Sequence, residues 1–208
     1  MPRGPGQRAG LTRAAVLDTA HALLAEEGLD ALTMRALARR LGVAPNALYS
    51  HVPGKTELVD ALLDDRLSLV EEPAPDATDP VAALAALMTS TYEVLLTRPG
   101  LVPLYLARQG SRGPNAVRLG VMMDALLARL GLAADAVGSA RRALILHAIG
   151  GAAFAGADGP VPADVARADF ARSLQWLLAG IAGGGGPPPR QHPPTASLRF
   201  RDGESPFP

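Results

Sequence analysis

Residues 32–55, LTMRALARRLGVAPNALYSHVPGK, limit what this chain can fold into more than any other stretch. Met34, Leu37, Ala38 and Leu41 recur at helical spacing, one apolar stripe of a short helix that starts after Thr33. Thr33 is a natural N-cap, because its hydroxyl can accept a free N–H of the first turn. Gly42 stands where the chain must turn sharply, a position that suits glycine because it tolerates positive φ. Val43 fills the angle. Pro45 suits the first position of a second short helix, over residues 44–51, since its missing N–H would have no partner there. Ala44 is a poor cap for that start. Ala44, Ala47 and Leu48 are expected to face inward, and Asn46, Tyr49 and Ser50 outward. Pro53 and Gly54 close the unit. Two short helices joined by a glycine turn, the second displaying a polar face with a large tyrosine, read as a helix-turn-helix. That motif lays its second helix in a DNA major groove.

The chemistry of the exposed half fits that reading. Asn46 can bond two positions on an adenine edge, and a good bidentate contact discriminates by about 1–3 kcal/mol. Tyr49 can offer its hydroxyl to a phosphate or pack on a thymine methyl. His51 and Lys55 follow the helix where phosphate oxygens would lie. Thr33 and Arg35 sit at a helix N-terminus, whose free N–H groups favour phosphate. The candidate DNA-facing set is therefore Thr33, Arg35, Pro45, Asn46, Ala47, Tyr49, Ser50, His51 and Lys55. Charge distribution agrees. Residues 1–56 hold seven Lys+Arg against four Asp+Glu, and the remainder thirteen against sixteen. The basic end is the reading end.

The rest of the chain is predicted to be helical. Ala and Leu dominate and no alternating strand pattern occurs. Residues 1–11 form a Gly/Pro/Arg arm, expected to be disordered, in which Arg3 and Arg8, with Arg13 just beyond, are solvated or touch phosphates. A first helix after Thr12 carries Val16, Ala20, Leu23 and Leu24, and ends at Gly28. A fourth helix is expected from residue 55 to 71, with Leu58, Val59, Leu62, Leu63, Leu69 and Val70 on its apolar edges. Residues 12–71 make the helix-turn-helix domain, and the proline-rich stretch 72–76 the linker.

Residues 79–182 make a second helical domain. Asp79-Pro80 opens a helix with Leu84, Leu87, Met88, Tyr92, Leu95 and Leu96 inside. A short helix spans residues 101–108. The next, over 115–130, is expected to bury Val117, Val121, Met122, Leu126 and Leu127. Ser139 should cap the following helix, whose run from 143 to 154 is apolar all round and should be covered on every side. Gly150 and Gly151 within it suggest close approach of another helix. The last helix, 163–182, has one apolar face of Phe170, Leu174, Leu177 and Ile181. A second face holds Val165, Ala168, Trp176 and Ala179, which suggests contact with a second subunit. Residues 158–160 form a turn, and residues 183–208 a disordered tail.

The ordered set over residues 12–63 resembles the TetR family of one-component transcriptional regulators. It comprises Gly28-Leu29-Asp30-Ala31-Leu32-Thr33-Met34-Arg35, Leu37-Ala38, Leu41-Gly42-Val43, Leu48-Tyr49, His51-Val52, Lys55 and Glu57-Leu58. The Leu-Tyr-x-His-Val wording is closest to the tetracycline-repressor branch, where many relatives have Phe in place of Val52. The resemblance implies an all-α fold: an N-terminal three-helix helix-turn-helix domain plus a C-terminal ligand-binding and dimerisation domain. It further implies a homodimer on a palindromic double-stranded DNA operator, repression, and release by a small-molecule effector. Pro45 and Asn46 depart from the family pattern, so the operator sequence does not carry over.

An effector site between helices is the default, and Met88, Tyr92, Tyr105, Gln109, Met122, His147, Phe154 and Trp176 are candidate liners, each also suited to plain core packing. His147 has no second ligand at i±4, so no metal is expected, nor any other cofactor. Gly54-Lys55-Thr56 imitates a phosphate-binding loop but has Tyr49 where glycine is required. Residues 110–113 fail as a nucleophile elbow, because Gln109 stands where glycine is needed. No enzyme is expected. Cysteine is absent and no leader or membrane span is evident, which suits a cytoplasmic protein. The competing reading is a small-molecule-binding or interaction protein in which the helix-turn-helix is only a scaffold.

Overall fold

The computed structural model describes residues 11–74, 76–108, 113–155 and 161–183. Every regular element among them is helical. In chain order these are α1 (Arg13–Glu27), α2 (Met34–Leu41), α3 (Pro45–Leu48), α4 (Lys55–Leu67) and α5 (Pro80–Leu96). A 3-10 turn (Pro99–Leu101) leads to α6 (Val102–Ala107), α7 (Pro114–Arg129), α8 (Ala134–Phe154) and α9 (Ala163–Ala182). No single helix among them is long and apolar enough to cross a membrane. Residues 1–10 of the expected arm, the turn at 158–160 and the tail beyond 183 lie outside the described residues.

Local chemistry sets the first two helices. Thr12 caps α1 by accepting from the Ala15 N–H at 3.1 Å, and Thr33 caps α2 from Ala36 at 3.1 Å. Gly28 ends α1 at φ 81° and Gly42 ends α2 at φ 65°, ψ 30° in the left-handed region. There a Cβ would crowd the following carbonyl. The buried face of α1 is Val16, Ala20, Leu23 and Leu24, as the spacing predicts. In α2 the buried set is Ala36, Leu37 and Ala38, with Met34 and Leu41 only half-buried at its edges.

α4 joins the two halves. It packs on α1 behind it and on α5, α6 and α7 ahead, and one continuous core runs from Val16 to Leu178. It ends at Leu67 rather than residue 71. The chain turns there, Ser68 Oγ bonding the Asp65 carbonyl at 2.6 Å and the Glu71 N–H donating to Ser90 Oγ of α5 at 2.8 Å. Val70 is thereby buried, while Leu69 is left exposed.

α5 begins as predicted, with Asp79 accepting from the Val81 and Ala82 N–H groups. Three expectations fail beyond it. α7 turns Leu119, Met123, Leu126 and Leu127 inward, while Val117 and Val121 face out. The sequence holds two overlapping apolar stripes there, and its neighbours select one. Ser139 lies inside α8, which starts five residues earlier without a side-chain cap. α8 is also open along one side, since Leu146 and Phe154 are 59% and 57% exposed. α9 buries Ala166, Phe170, Leu174 and Leu178, with Leu177 and Ile181 at the margin. Its other face points outward, with Val165 exposed and Trp176 68% exposed. Gly151 does mark a close approach, but of side chains: a Cβ there would stand 3.0 Å from Phe170 Cδ2 and 3.4 Å from Tyr92 Cε2.

Candidate nucleic-acid interface

α3 is a single turn whose one buried side chain is Leu48, and Val52 is buried just past its end. These two anchors leave the rest of the turn outside. Pro45, Asn46, Ala47, Tyr49 and Ser50 are all exposed, with Tyr49 at 49%. Ala44 and Ala47 are exposed too, contrary to their expected inward orientation, because one helical turn has room for a single inward position. The exposed face is therefore continuous from Pro45 to Ser50. Ser50 donates its hydroxyl proton to the Ala47 carbonyl at 2.9 Å, so toward a ligand it presents only lone pairs. Asn46 and Tyr49 supply donors that have no partner among the described residues.

The surroundings are cationic. Arg35 and Lys55 are exposed and take part in no ion pair among the described residues, and the same holds for Arg39. Arg39 is one helical turn after Arg35, so its i, i+4 spacing could have placed it in the same set from sequence. Arg40, its neighbour, is committed elsewhere: it binds Glu26 at 2.5 Å and Glu27 at 3.5 Å, and Glu26 holds its guanidinium above the ordinary range. Thr33 is exposed, with its hydroxyl engaged as the α2 cap. His51 is half-buried, and its carbonyl accepts from Arg13 Nη1 at 3.3 Å. Arg13 thus braces the end of α3 from the first turn of α1. Arg3 and Arg8 lie outside the described residues.

Residues 16–62 match the family model of bacterial regulatory proteins, tetR family. Residues 16–62 are thus a TetR-family segment. The matched segment runs from α1 into α4 and contains the whole polar face. Among TetR-family relatives, the transcriptional repressor KstR2 of Rhodococcus jostii is 35% identical over 97 residues, 45% of this chain and 48% of that one. The class D tetracycline repressor protein of Escherichia coli is 50% identical over 54 residues, 26% of this chain and 25% of its own. The chain thus spans about half the length of the first curated relatives it matches, and less of the tetracycline repressor. In three dimensions the likeness is longer. BioQ of Mycobacterium smegmatis superposes with a TM-score of 0.73 at 26% identity, covering 83% of this chain and 99% of that one. BioQ on its natural double-stranded DNA operator also matches, with a TM-score of 0.67 at 25% identity.

The residues suggested for an effector site separate into two places. Met88 and Tyr105 lie on the wall of a cavity of about 150 Å³ between α4, α5, α6, α7 and α8. Met122 does not, because the inward stripe of α7 passes through Met123, which lines the cavity instead. Tyr92 is in the core behind that wall, stacked on Phe170 with ring centroids 3.9 Å apart. His147, Phe154 and Trp176 line a separate outer groove between α8 and α9. His147 stacks on Phe170 at 4.9 Å and shares a 3.2 Å hydrogen bond with Ser173. Gln109 lies outside the described residues.

Two contacts that the sequence did not announce tie the cavity wall to the reading domain. The Tyr105 hydroxyl donates to the Leu63 carbonyl of α4 at 2.6 Å, and burial pushes its phenol well up. Asp64 of α4 accepts from the Asn115 and Ala116 N–H groups, at 3.2 and 2.9 Å, at the start of α7. It also accepts from Asn115 Nδ2 at 3.1 Å.

Proposed function

We propose that this protein is a ligand-responsive transcriptional repressor that binds a palindromic DNA operator as a homodimer and is released by a small-molecule effector. The observation that carries the reading is the exposed Asn46–Tyr49–Ser50 face, hung on buried Leu48 and Val52 and flanked by the exposed cations Arg35, Arg39 and Lys55. A scaffold helix has no need to display a tyrosine and an asparagine beside unpaired cations. BioQ, solved on its operator, supports the same use of this fold. In this reading Asn46 and Tyr49 read base edges, while Thr33, Arg35, Pro45, Ala47, Ser50, His51 and Lys55 set position on the backbone.

The outward faces of α8 and α9 support dimerisation. Leu146, Phe154, Val165 and Trp176 are large apolar side chains left open to water on these two helices, and a second copy would cover them. The dimer would set two recognition helices about 34–36 Å apart, one turn of duplex. An effector in the cavity under α4 would favour a geometry in which that spacing no longer matches, by binding the released state more tightly.

A mobility-shift titration against the DNA upstream of the protein's own gene tests the reading. Lys55→Ala should weaken binding to all sequences alike, and Asn46→Ala should relax preference at one base position. Affinity without sequence preference, indifferent to Tyr49 and Lys55, would sink it.

A further inference from the structure

The cavity under α4 has a composition that specifies what it can hold. Its wall is made by Leu87, Met88, Leu119, Met123, Ile145 and Ile149, and among the described residues no Asp, Glu, Lys, Arg or His lines it. Among the described residues its side-chain polar groups are two hydroxyls. Thr91 Oγ donates to the Leu87 carbonyl at 2.8 Å, and the Tyr105 hydroxyl to the Leu63 carbonyl at 2.6 Å. Both protons are therefore engaged within the protein, and each oxygen keeps lone pairs for an incoming donor. Neither Arg66, whose charge reaches the Tyr105 hydroxyl and which donates to Thr97 Oγ1 at 2.8 Å, nor Arg141, held by Asp124 at 2.5 Å, lines the wall. A charged ligand would lose its hydration and meet no counter-ion among the described lining residues. The volume is also selective. Apolar cavities of about 150 Å³ stay dry and take up molecules the size of benzene.

We infer that this cavity binds a neutral, mostly apolar molecule about one substituted aromatic ring in size, whose single O–H or N–H donates to the Thr91 or Tyr105 hydroxyl. The inference rests on the effector reading above and gives it a chemical class: phenols and indoles, rather than acids, sugars or nucleotides. It assigns Thr91 the role of acceptor, which no pattern in the sequence suggested.

The test uses the full chain with four probes: p-cresol, indole, toluene and benzoate. Thermal melting should move upward with p-cresol and indole, less with toluene, and not with benzoate. Thr91→Val and Tyr105→Phe should each leave toluene affinity unchanged, and one of them should weaken p-cresol about threefold to tenfold, the loss expected for one hydrogen bond. Ala116→Phe, from the α7 wall, should fill the space and abolish every shift. If that variant fails to fold, the two hydroxyl variants carry the test alone. Benzoate binding as tightly as p-cresol, no shift with any probe, or equal loss of toluene and p-cresol would overturn the assignment. A mobility-shift arm separates it from the reading beneath it. Binding of p-cresol without release of DNA keeps the ligand class and removes the repressor mechanism.

Discussion

Replacing Asp64 by alanine tests the joint between the two halves of the molecule. Asp64 is a residue of α4, 6% exposed, yet its carboxylate serves as the N-terminal cap of α7. It satisfies two main-chain N–H groups and one side-chain amide there. Losing a cap costs about 0.5–2 kcal/mol. Losing the negative charge from a partly buried helix N-terminus adds about 1 kcal/mol, up to ~2. Together these predict a loss of about 2–3 kcal/mol for Asp64→Ala, part of the cost being offset because a buried charge no longer needs desolvating. For a chain of this length that is about 4–12 °C in melting temperature. Asp64→Asn keeps the shape and one acceptor, so it should recover about half. Asp60→Ala is the control, one turn earlier on α4. Its half-exposed bidentate pair with Arg108 is screened by solvent, so its loss should change stability little. Gly113→Ala probes the same contact from the other side, because its Cβ would lie 2.2 Å from Asp64 Cγ and push the carboxylate off its donors. The substitution should destabilise the wild type and be nearly silent in the Asp64→Ala background. Thermal or urea denaturation reads the wild type and all five variants. Asp64→Ala melting within a degree of wild type, or no lower than Asp60→Ala, would refute the assignment of this carboxylate as a cap.

Three further outcomes follow from particular residues. Leu48→Ala should cost about 2–4 kcal/mol and abolish operator binding, whereas Leu48→Met should cost under about 1.5 kcal/mol and retain it, as read by urea denaturation and mobility shift. Gly42→Ala should destabilise by about 1–2 kcal/mol, because φ 65° is unfavourable with a Cβ even though nothing lies within 4 Å to clash; unchanged stability would remove strain as the reason for this glycine. His21 bridges α1 to Asp65 of α4 at 2.9 Å, and burial, outweighing Asp65, lowers its pKa below 6.5. The folded protein thus binds this proton less readily than the unfolded chain. Its contribution is present above pH 6.5 and is lost as the pH falls toward the lower folded value. Melting temperature should drop through that window, and the drop should shrink in His21→Gln; a melting temperature that rises on acidification would contradict the sign.

What the sequence determined by itself is local. Thr12, Thr33 and Asp79 announce helix starts, and Gly28 and Gly42 announce stops, because caps and left-handed turns depend on residues within four positions of each other. The division of residues 32–55 into a buried and an exposed half was legible for the same reason, apart from the alanines of α3, where a single turn buries only Leu48. Where several helices compete for one face, tertiary structure decided. α7 could have buried Val117 and Val121, and the packing of α4, α5 and α8 against it selected Leu119 and Met123 instead. Periodicity gives a stripe its spacing but not its neighbour. The caps contributed by Asp64 across 51 and 52 residues, the Tyr105–Leu63 bond across 42, and the cavity walled by five helices have no local signal at all. They exist only because folding brings distant main-chain donors and acceptors out of water together, where each must find a partner.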